Sequence, residues 1–190
     1  MSIVIKPYEE KYKEDVRNIC LDDAGSNARE PKSKRFLLAT FCDYYIEHDG
    51  EHCFIAVDTE NDCAVGYIFC APDYKKYKSI FKAEYLPRVK GCGAGNETEA
   101  RLSMIAPVFF KRSYPAHMHS DIKPGYQHCG IGSKLVTTLM EHLDAISVDG
   151  VMLVVGSGNT NAIKFYKKNK FDIIFPLRSC NVMARKVKLK

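Results

Sequence analysis

The sequence lacks the long apolar run that a membrane-spanning helix needs. None of its apolar stretches approaches the ~20 residues of a span. Its N-terminus, MSIVIKPYEEKYKED, becomes charged too early for a signal peptide. Internal repeats are absent as well. We therefore expect a cytoplasmic protein without a membrane partner. Its 190 residues, of which 46% are hydrophobic, are typical of a single domain spanning 1–190.

Cysteine patterns for disulfides or metals are also missing. The eight cysteines are scattered, with no CxxC pair and no Cys/His cluster of zinc-finger spacing. We expect most of them to be reduced core residues, and we expect no metal site. His117 and His119 lie two apart and could chelate a metal together, but the sequence offers no evident third ligand.

Strong charge of one sign is missing too. The net charge of +5 is modest, and four of the basic residues fall in the C-terminal stretch ARKVKLK. This pattern predicts a solvated edge strand, whereas a nucleic-acid arm would need a denser basic patch with interleaved aromatic residues. No nucleic-acid partner is expected.

The chain does contain a glycine pair at the start of an apolar periodic run, in YQHCGIGSKLV at 126–136. It is not the dinucleotide motif GxGxxG, because position 135 is leucine. It is not a Walker A loop, because Lys134 follows Ser133. Gly130 and Gly132 would let a phosphate approach the unsatisfied N–H groups of a helix start, and Ser133 adds a hydroxyl. An ordinary turn is the alternative.

Periodicity predicts the surrounding elements. SIVIKPY reads as a strand, HCFIAVD and CAVGYIFC as a hairpin, and PAHMHSDI as a further strand. The glycine loop precedes the amphipathic helix SKLVTTLMEHLDAI, and VMLVV is typical of a strand buried on both faces. Asn159 or Thr160 caps a short helix before the closing strands FDIIF and NVMARKV. Residues 71–115 predict two inserted helices, interrupted by Pro87 and Pro107.

Two of these motifs resemble the signatures of the GNAT superfamily of acetyl-CoA-dependent N-acyltransferases. Residues 127–132 match Q/R-x-x-G-x-G/A, and NTNAIKFYKKNKF resembles the second signature, N-x-x-A-x-x-x-Y. The resemblance implies an α/β (α+β) fold with a mixed, mostly antiparallel sheet of about seven strands. That sheet would be splayed at the acetyl-CoA site and flanked by helices, with the two-helix insertion capping the acceptor site.

A narrower resemblance is to bacterial GNAT proteins related to the acetyltransferase-like domain of O-GlcNAc hydrolases, a domain of doubtful activity. The chain departs from the family at two positions. Asn161 stands where arginine is frequent, and Lys170 stands where glycine would relieve strain at a helix exit.

The resemblance also assigns roles to residues. Main-chain N–H groups of the 128–133 loop would hold the coenzyme A pyrophosphate, and the backbone of Ile122 would bind the pantetheine arm. Asn159 would contact the pantetheine or the thioester region. Tyr166 would act as the general acid near the sulfur; a core tyrosine beside Phe165 is the alternative. The full cofactor-binding set is Ile122, Gln127, His128, Cys129, Gly130, Ile131, Gly132, Ser133, Asn159 and Tyr166. Cys129 has no catalytic role, because acyl transfer in this family is direct.

Candidate bases lie on the strand before the loop. His117, His119 and Asp121 are two apart and point to one face, whereas Met118 and Ser120 point to the other. This face could hold a single base or a His–Asp relay in which Asp121 orients an imidazole. As the base we rank Asp121 first, then His119, then His117. A histidine bonded within the sheet, and an aspartate packed against a loop, are the alternatives.

The acceptor would enter across the inserted helices, which offer aromatic walls and carboxylates. The candidate residues are Tyr74, Tyr77, Phe81, Tyr85, Phe109 and Phe110, with Asp73, Glu84 and Glu97. The predicted function is acetyl-CoA-dependent N-acetylation of a primary amine, small molecule or peptide, by direct attack in a ternary complex. The alternative is an inactive acyl-CoA-binding or acceptor-binding domain. We expect a monomer or homodimer.

Overall fold

The computed structural model describes residues 2–25 and 27–188 and contains one seven-stranded sheet in the order β1-β2-β3-β4-β5-β7-β6. Every neighbouring pair is antiparallel except β4 and β5, which are parallel. The predicted mixed, mostly antiparallel sheet is therefore confirmed. The strands are β1 (Ile3–Pro7), β2 (Phe54–Asp58), β3 (Cys63–Ala71), β4 (Ala116–Ile122), β5 (Gly150–Gly156), β6 (Asp172–Pro176) and β7 (Cys180–Lys186).

Helices cover both faces of the sheet. One face carries α1 and α2 with the helices that follow them, and the other carries α8 and α9. The helices are α1 (Lys13–Asp23), α2 (Pro31–Phe41), α3 (Asp43–His48), α4 (Tyr74–Ile80), α5 (Leu86–Val89), α6 (Ala94–Leu102), α7 (Ile105–Phe110), α8 (Ile131–Ala145) and α9 (Thr160–Lys168). Short 3-10 turns occupy Glu10–Tyr12 and Gly50–His52. Within the described ranges, no helix combines the length and apolar character needed to cross a bilayer.

The two parallel strands separate soon after they meet. β4 pairs with β5 at Ala116↔Val151 and His117↔Met152, and the rest of β4 pairs only with β3, out to Gly66↔Ile122. β5 meanwhile stays paired with β7 along its length. An opening therefore forms between the C-terminal halves of β4 and β5.

The inserted segment contains more helices than the two predicted. Its first half is one helical rod, in which a π-helical stretch at Phe81–Tyr85 joins α4 to α5. This wider turn directly precedes the segment that contains Pro87, which has no N–H to donate. The second half divides into α6 and α7. The insertion packs through an aromatic core of Tyr74, Tyr77, Phe81 and Tyr85, each 3% exposed or less.

Two other sequence expectations differ from the structure. The strand part of the basic C-terminal segment, 184–186, belongs to β7 and is not at an edge, since β7 lies between β5 and β6; residues 189–190 lie outside the described residues. The strand VMLVV is not buried on both faces throughout, since Val154 is 48% exposed. The cysteines agree with expectation: all eight are free and five are buried.

The exit of α9 shows the strain that the lysine at 170 implies. Lys170 follows the C-cap residue and has a φ of +68°, in the left-handed region. The next N–H, of Phe171, donates to the Tyr166 carbonyl at 3.0 Å, which completes the helix end. A side chain at this position costs free energy that glycine avoids.

We predict that Lys170→Gly raises the free energy of unfolding by about 0.5–1 kcal/mol, because glycine adopts this φ without a Cβ clash. Lys167→Gly, inside α9, is the matched control and should lower it by about 1 kcal/mol. Urea unfolding measures both. Equal losses in the two variants would contradict the proposed strain.

Candidate active site

A cleft of about 790 Å³ occupies the opening between β4 and β5. Its walls are the C-terminal half of β4, the loop that follows it, the start of α8, the end of β5 and α9. The separated strands thus place the glycine loop and the second sequence motif around one space.

The glycine loop presents unpaired main-chain donors to this cleft. Gly130 is the residue before α8, with a φ of +80°, and no side chain caps the helix. The first helical bond runs from the Lys134 N–H to the Gly130 carbonyl at 3.1 Å. The N–H groups of the residues between them have no carbonyl within the helix to bond. Together with the positive end of the helix dipole, they form an anion-binding site.

The structure requires glycine at position 132 for a different reason from the one that the sequence predicts. A Cβ at this position would come within 2.9 Å of the Phe165 ring, so glycine allows α9 to pack closely against the start of α8. At Gly130 a Cβ would meet no atom within 4 Å, and the positive φ is what favours glycine. Only the second glycine is needed for close packing.

Most predicted cofactor-binding residues line the cleft: Ile122, Gln127, His128, Gly130, Ile131, Gly132, Ser133, Asn159 and Tyr166. Cys129 is exposed within the same loop but is not part of the cleft wall. The Gln127 side chain donates to the Ile122 carbonyl at 3.1 Å and so ties the loop to the end of β4. Asn159 Oδ1 accepts from the Ala162 N–H at 3.0 Å, so Asn159 is the N-cap of α9.

Sequence reasoning missed two cations of the cleft wall. Lys164 and Lys168 lie four residues apart on α9, and both line the cleft. This spacing places them on one side of the helix, which is the signal that could have found them. Their charges add to the positive potential that the start of α8 provides.

Tyr166 is both a packed residue and a cleft residue. It is 8% exposed, and its ring contacts those of Phe165 and Phe171. Its hydroxyl lies 3.1 Å from Ser120 Oγ, on the α8 side of β4. The two interpretations of the sequence are therefore compatible, since a buried ring presents its hydroxyl to the cleft.

The three candidate bases share the opposite face of β4, as their spacing predicts, but they differ in exposure. His119 and Asp121 line the cleft, whereas His117 does not. His117 is 8% exposed and meets the Tyr77 ring edge-on, with 4.2 Å between centroids. Both of its ring nitrogens lack a hydrogen-bond partner among the described residues. Burial lowers the pKa of His117 to about 3, so its imidazole is neutral.

A buried tyrosine that sequence reasoning missed connects the other two. The Tyr67 hydroxyl donates to Asp121 Oδ2 at 2.5 Å and lies 3.1 Å from His119 Nδ1. Burial, and then the charge of Asp121, raise the pKa of Tyr67 well above its usual value, so the phenol keeps its proton. Tyr67 is the cross-strand partner of Asp121. The register between β3 and β4, which the insertion separates in sequence, was the missing information.

Most of the insertion residues that the sequence predicts to line the acceptor site have other structural roles. The insertion's four buried aromatic residues belong to the main core, in which Tyr77 and Tyr85 pack against Tyr44 of α3. Asp73 caps α4, Glu84 pairs with His48, and Glu97 accepts from the Gly91 N–H. Of the predicted aromatic residues, Tyr77 contacts β4 through His117 and Phe110 contacts β6 through Phe175, but neither lines the cleft.

Comparison with known proteins finds one family model and several solved structures that are similar to this chain. Residues 110–171 match the model of the acetyltransferase (GNAT) family. The crystal structure of SsHAT is 25% identical, with 100% of both chains covered and a TM-score of 0.87. PH1933 from Pyrococcus horikoshii OT3 is 18% identical, with 99% of this chain and 100% of that chain covered and a TM-score of 0.67. The PaiA N-acetyltransferase from Thermoplasma acidophilum, solved in complex with coenzyme A, is 15% identical, with 98% and 99% covered and a TM-score of 0.62.

We predict that His117 makes the protein sensitive to acid. Its pKa is about 3 when folded and 6.5 as the reference for the unfolded chain, so the unfolded state binds more protons between these values. The stability that neutral His117 contributes is complete above pH 6.5 and is lost as the pH falls toward 3, by up to about 1.4 kcal/mol per pH unit.

The variant His117→Leu should flatten this dependence, measured as urea unfolding at intervals from pH 4 to 7, taken as roughly the window in which histidine titrates. The exposed His128, replaced by asparagine because its φ is +63°, serves as the control and should keep the wild-type slope. A His117→Leu slope equal to that of wild type would contradict the assignment.

Proposed function

We propose that this chain, whose residues 110–171 match the acetyltransferase (GNAT) family model, transfers an acetyl group from acetyl-CoA to a primary amine. The transfer is direct, within a ternary complex. The observation that carries the proposal is one cleft that combines the unpaired donors of α8, the Tyr166 hydroxyl and the His119–Asp121 pair. The coenzyme A complex of the similar PaiA N-acetyltransferase supports it.

The residues present fit the coenzyme. Main-chain N–H groups at 128–133 suit its pyrophosphate, and Lys164 and Lys168 add charge across the cleft. The edge of β4 facing β5 has no strand partner beyond His117. This edge offers main-chain groups to the pantetheine amides. Asn159 contributes by holding the start of α9, since its side-chain oxygen is already used as a cap.

Tyr166 is proposed as the general acid. When the amine nitrogen bonds to the acetyl carbonyl carbon, the C–S bond breaks and the sulfur leaves as a thiolate. A thiol pKa near ~8.5 and a phenol pKa near ~10 make proton transfer from Tyr166 to the sulfur feasible. Ser120, at 3.1 Å from the phenol oxygen, orients that hydroxyl and is able to return a proton to it.

We propose His119 as the base. A lysine-like amine is about one part in 2,500 neutral at pH 7, roughly 4.6 kcal/mol uphill, so a proton acceptor is needed. The phenol of Tyr67 donates to Asp121, and its oxygen is therefore placed to accept from His119 Nδ1–H. This arrangement leaves the lone pair on Nε2 to take the amine proton.

Asp121 then has the orienting role. Its Oδ2 accepts from the Tyr67 hydroxyl, and this hydrogen bond fixes the phenol beside the His119 ring. This reverses the order in which the sequence alone ranks Asp121 and His119. His117 has no part in the proposal, because it lies in the aromatic core outside the cleft.

The domain proposal is one catalytic domain over 1–190, with the insertion at 71–115 bordering the acceptor side. Its support is that α7 reaches the same face of the sheet as His119, through the contact of Phe110 with Phe175. The competing proposal is an inactive domain that binds acyl-CoA or the acceptor. Loss of turnover on removal of the Tyr166 hydroxyl would distinguish the enzyme from such a domain.

We predict that Tyr166→Phe lowers kcat about a hundredfold while leaving coenzyme A affinity within about twofold, because the phenol acts on the leaving group and not in binding. Thiol release from acetyl-CoA, screened over peptides, polyamines, amino sugars and aryl amines, measures turnover, and calorimetry measures affinity. Tyr8→Phe, which removes a hydroxyl bonded to Glu10, is the control. An unchanged kcat would exclude this role.

We predict that Tyr67→Phe lowers kcat/KM roughly tenfold, because the phenol that contacts both His119 and Asp121 no longer orients the imidazole. Tyr74→Phe, which removes a buried hydroxyl bonded to the Met104 carbonyl, is the matched control. A purely structural Tyr67 would lower the melting temperature and leave kcat/KM of the folded protein unchanged.

A further inference from the structure

Beside the cleft lies an apolar sheet surface that no helix fully covers. Val154, Val182 and Phe175 are in register across β5, β7 and β6. Val182 is 1% exposed, but Val154 and Phe175 on either side of it are each 48% exposed. We call these three residues the apolar row. Large apolar side chains aligned on one sheet face are normally packed against another element.

The apolar row faces the same side of the sheet as the proposed base. Met152, two residues before Val154, packs with Val182 and Ala184, whereas Leu153 and Val155 pack toward α8. Tyr166 lies on that opposite, α8 side. The rest of a molecule whose amine reaches His119 therefore lies beside the apolar row, on the face of the sheet opposite the Tyr166 phenol.

The row begins in the cleft itself. Val154 lines the cleft together with His119 and Asp121, so the apolar surface continues directly from the reaction centre. At the other end Phe110 packs against Phe175, with ring centroids 6.1 Å apart, and closes the surface. Two strand spacings separate the first and last residues of the row, which is about 10 Å.

The charges of the cleft exclude a second ammonium group. Among the described residues that line it, Asp121 is the one carboxylate, and its oxygen already accepts from Tyr67. The other charged side chains of the wall are Lys164 and Lys168. A polyamine would place its further cations beside lysines and valines, where they have no partner.

We propose that the acceptor is a monoamine with an apolar body about 10 Å long, and that this body lies on the apolar row. This inference rests on the proposed function. Its occupant is the acceptor rather than a second copy of the chain, because the surface is continuous with the cleft and lies beside the base.

The test compares benzylamine, 6-phenylhexylamine and spermidine as acceptors by thiol release from acetyl-CoA. 6-Phenylhexylamine should have a kcat/KM at least about tenfold above the other two, since only its ring reaches Phe175. Phe175→Ala should raise KM for 6-phenylhexylamine about tenfold and leave kcat, and both constants for benzylamine, within about twofold. Phe109→Ala is the matched control, because Phe109 is 74% exposed and lies outside the row.

Calorimetry separates this inference from the proposed function. If no amine is acetylated, yet 6-phenylhexylamine binds the protein with coenzyme A present and Phe175→Ala weakens that binding, the row is an amine-binding surface and the catalytic proposal fails. Preference for spermidine, equal effects of the two alanine variants, or absence of amine binding overturns the inference. So does sedimentation showing a wild-type dimer that Phe175→Ala dissociates.

Discussion

The parallel pairing of β4 with β5 ends after two residue pairs, and the cleft exists because of this. Each strand keeps its other partner, β3 for β4 and β7 for β5, so the sheet remains stable on both sides of the opening. Main-chain groups that a continuous sheet would use in pairing are left facing one another across a space. This architecture suits a ligand that forms hydrogen bonds with these main-chain groups.

The opening also divides the chemistry between the two faces of β4. Alternation along the strand sends Ser120 toward Tyr166 and sends His119 and Asp121 toward Tyr67. The proposed proton donor and the proposed proton acceptor thereby lie on opposite faces of the strand. In the proposed reaction, the amine approaches on the face of the base and the sulfur leaves on the face of the phenol.

Close packing aligns the binding elements with this strand. Gly132 lets the Phe165 ring lie against the start of α8, which brings α9 and its lysines beside the unpaired N–H groups. Gln127 ties the loop to the Ile122 carbonyl. The glycine loop, the two lysines and Tyr166 are thus parts of one packed unit. In the proposed function, a change at the α8–α9 contact alters both coenzyme A binding and the rate of acyl transfer.

The sequence by itself determined the elements that depend on local pattern. The α8 periodicity, the glycine loop, the Asn159 cap and the strain at Lys170 all follow from residues within a few positions, and the resemblance carried by the two signatures predicted the mixed sheet. Only the tertiary structure decided what depends on distant pairing. The Tyr67–Asp121 register, the burial of His117 among aromatic residues from the insertion, and the interior place of β7 join segments tens of residues apart. No local preference specifies these contacts, because alternation along a strand sets which residues share a face but not what packs against that face.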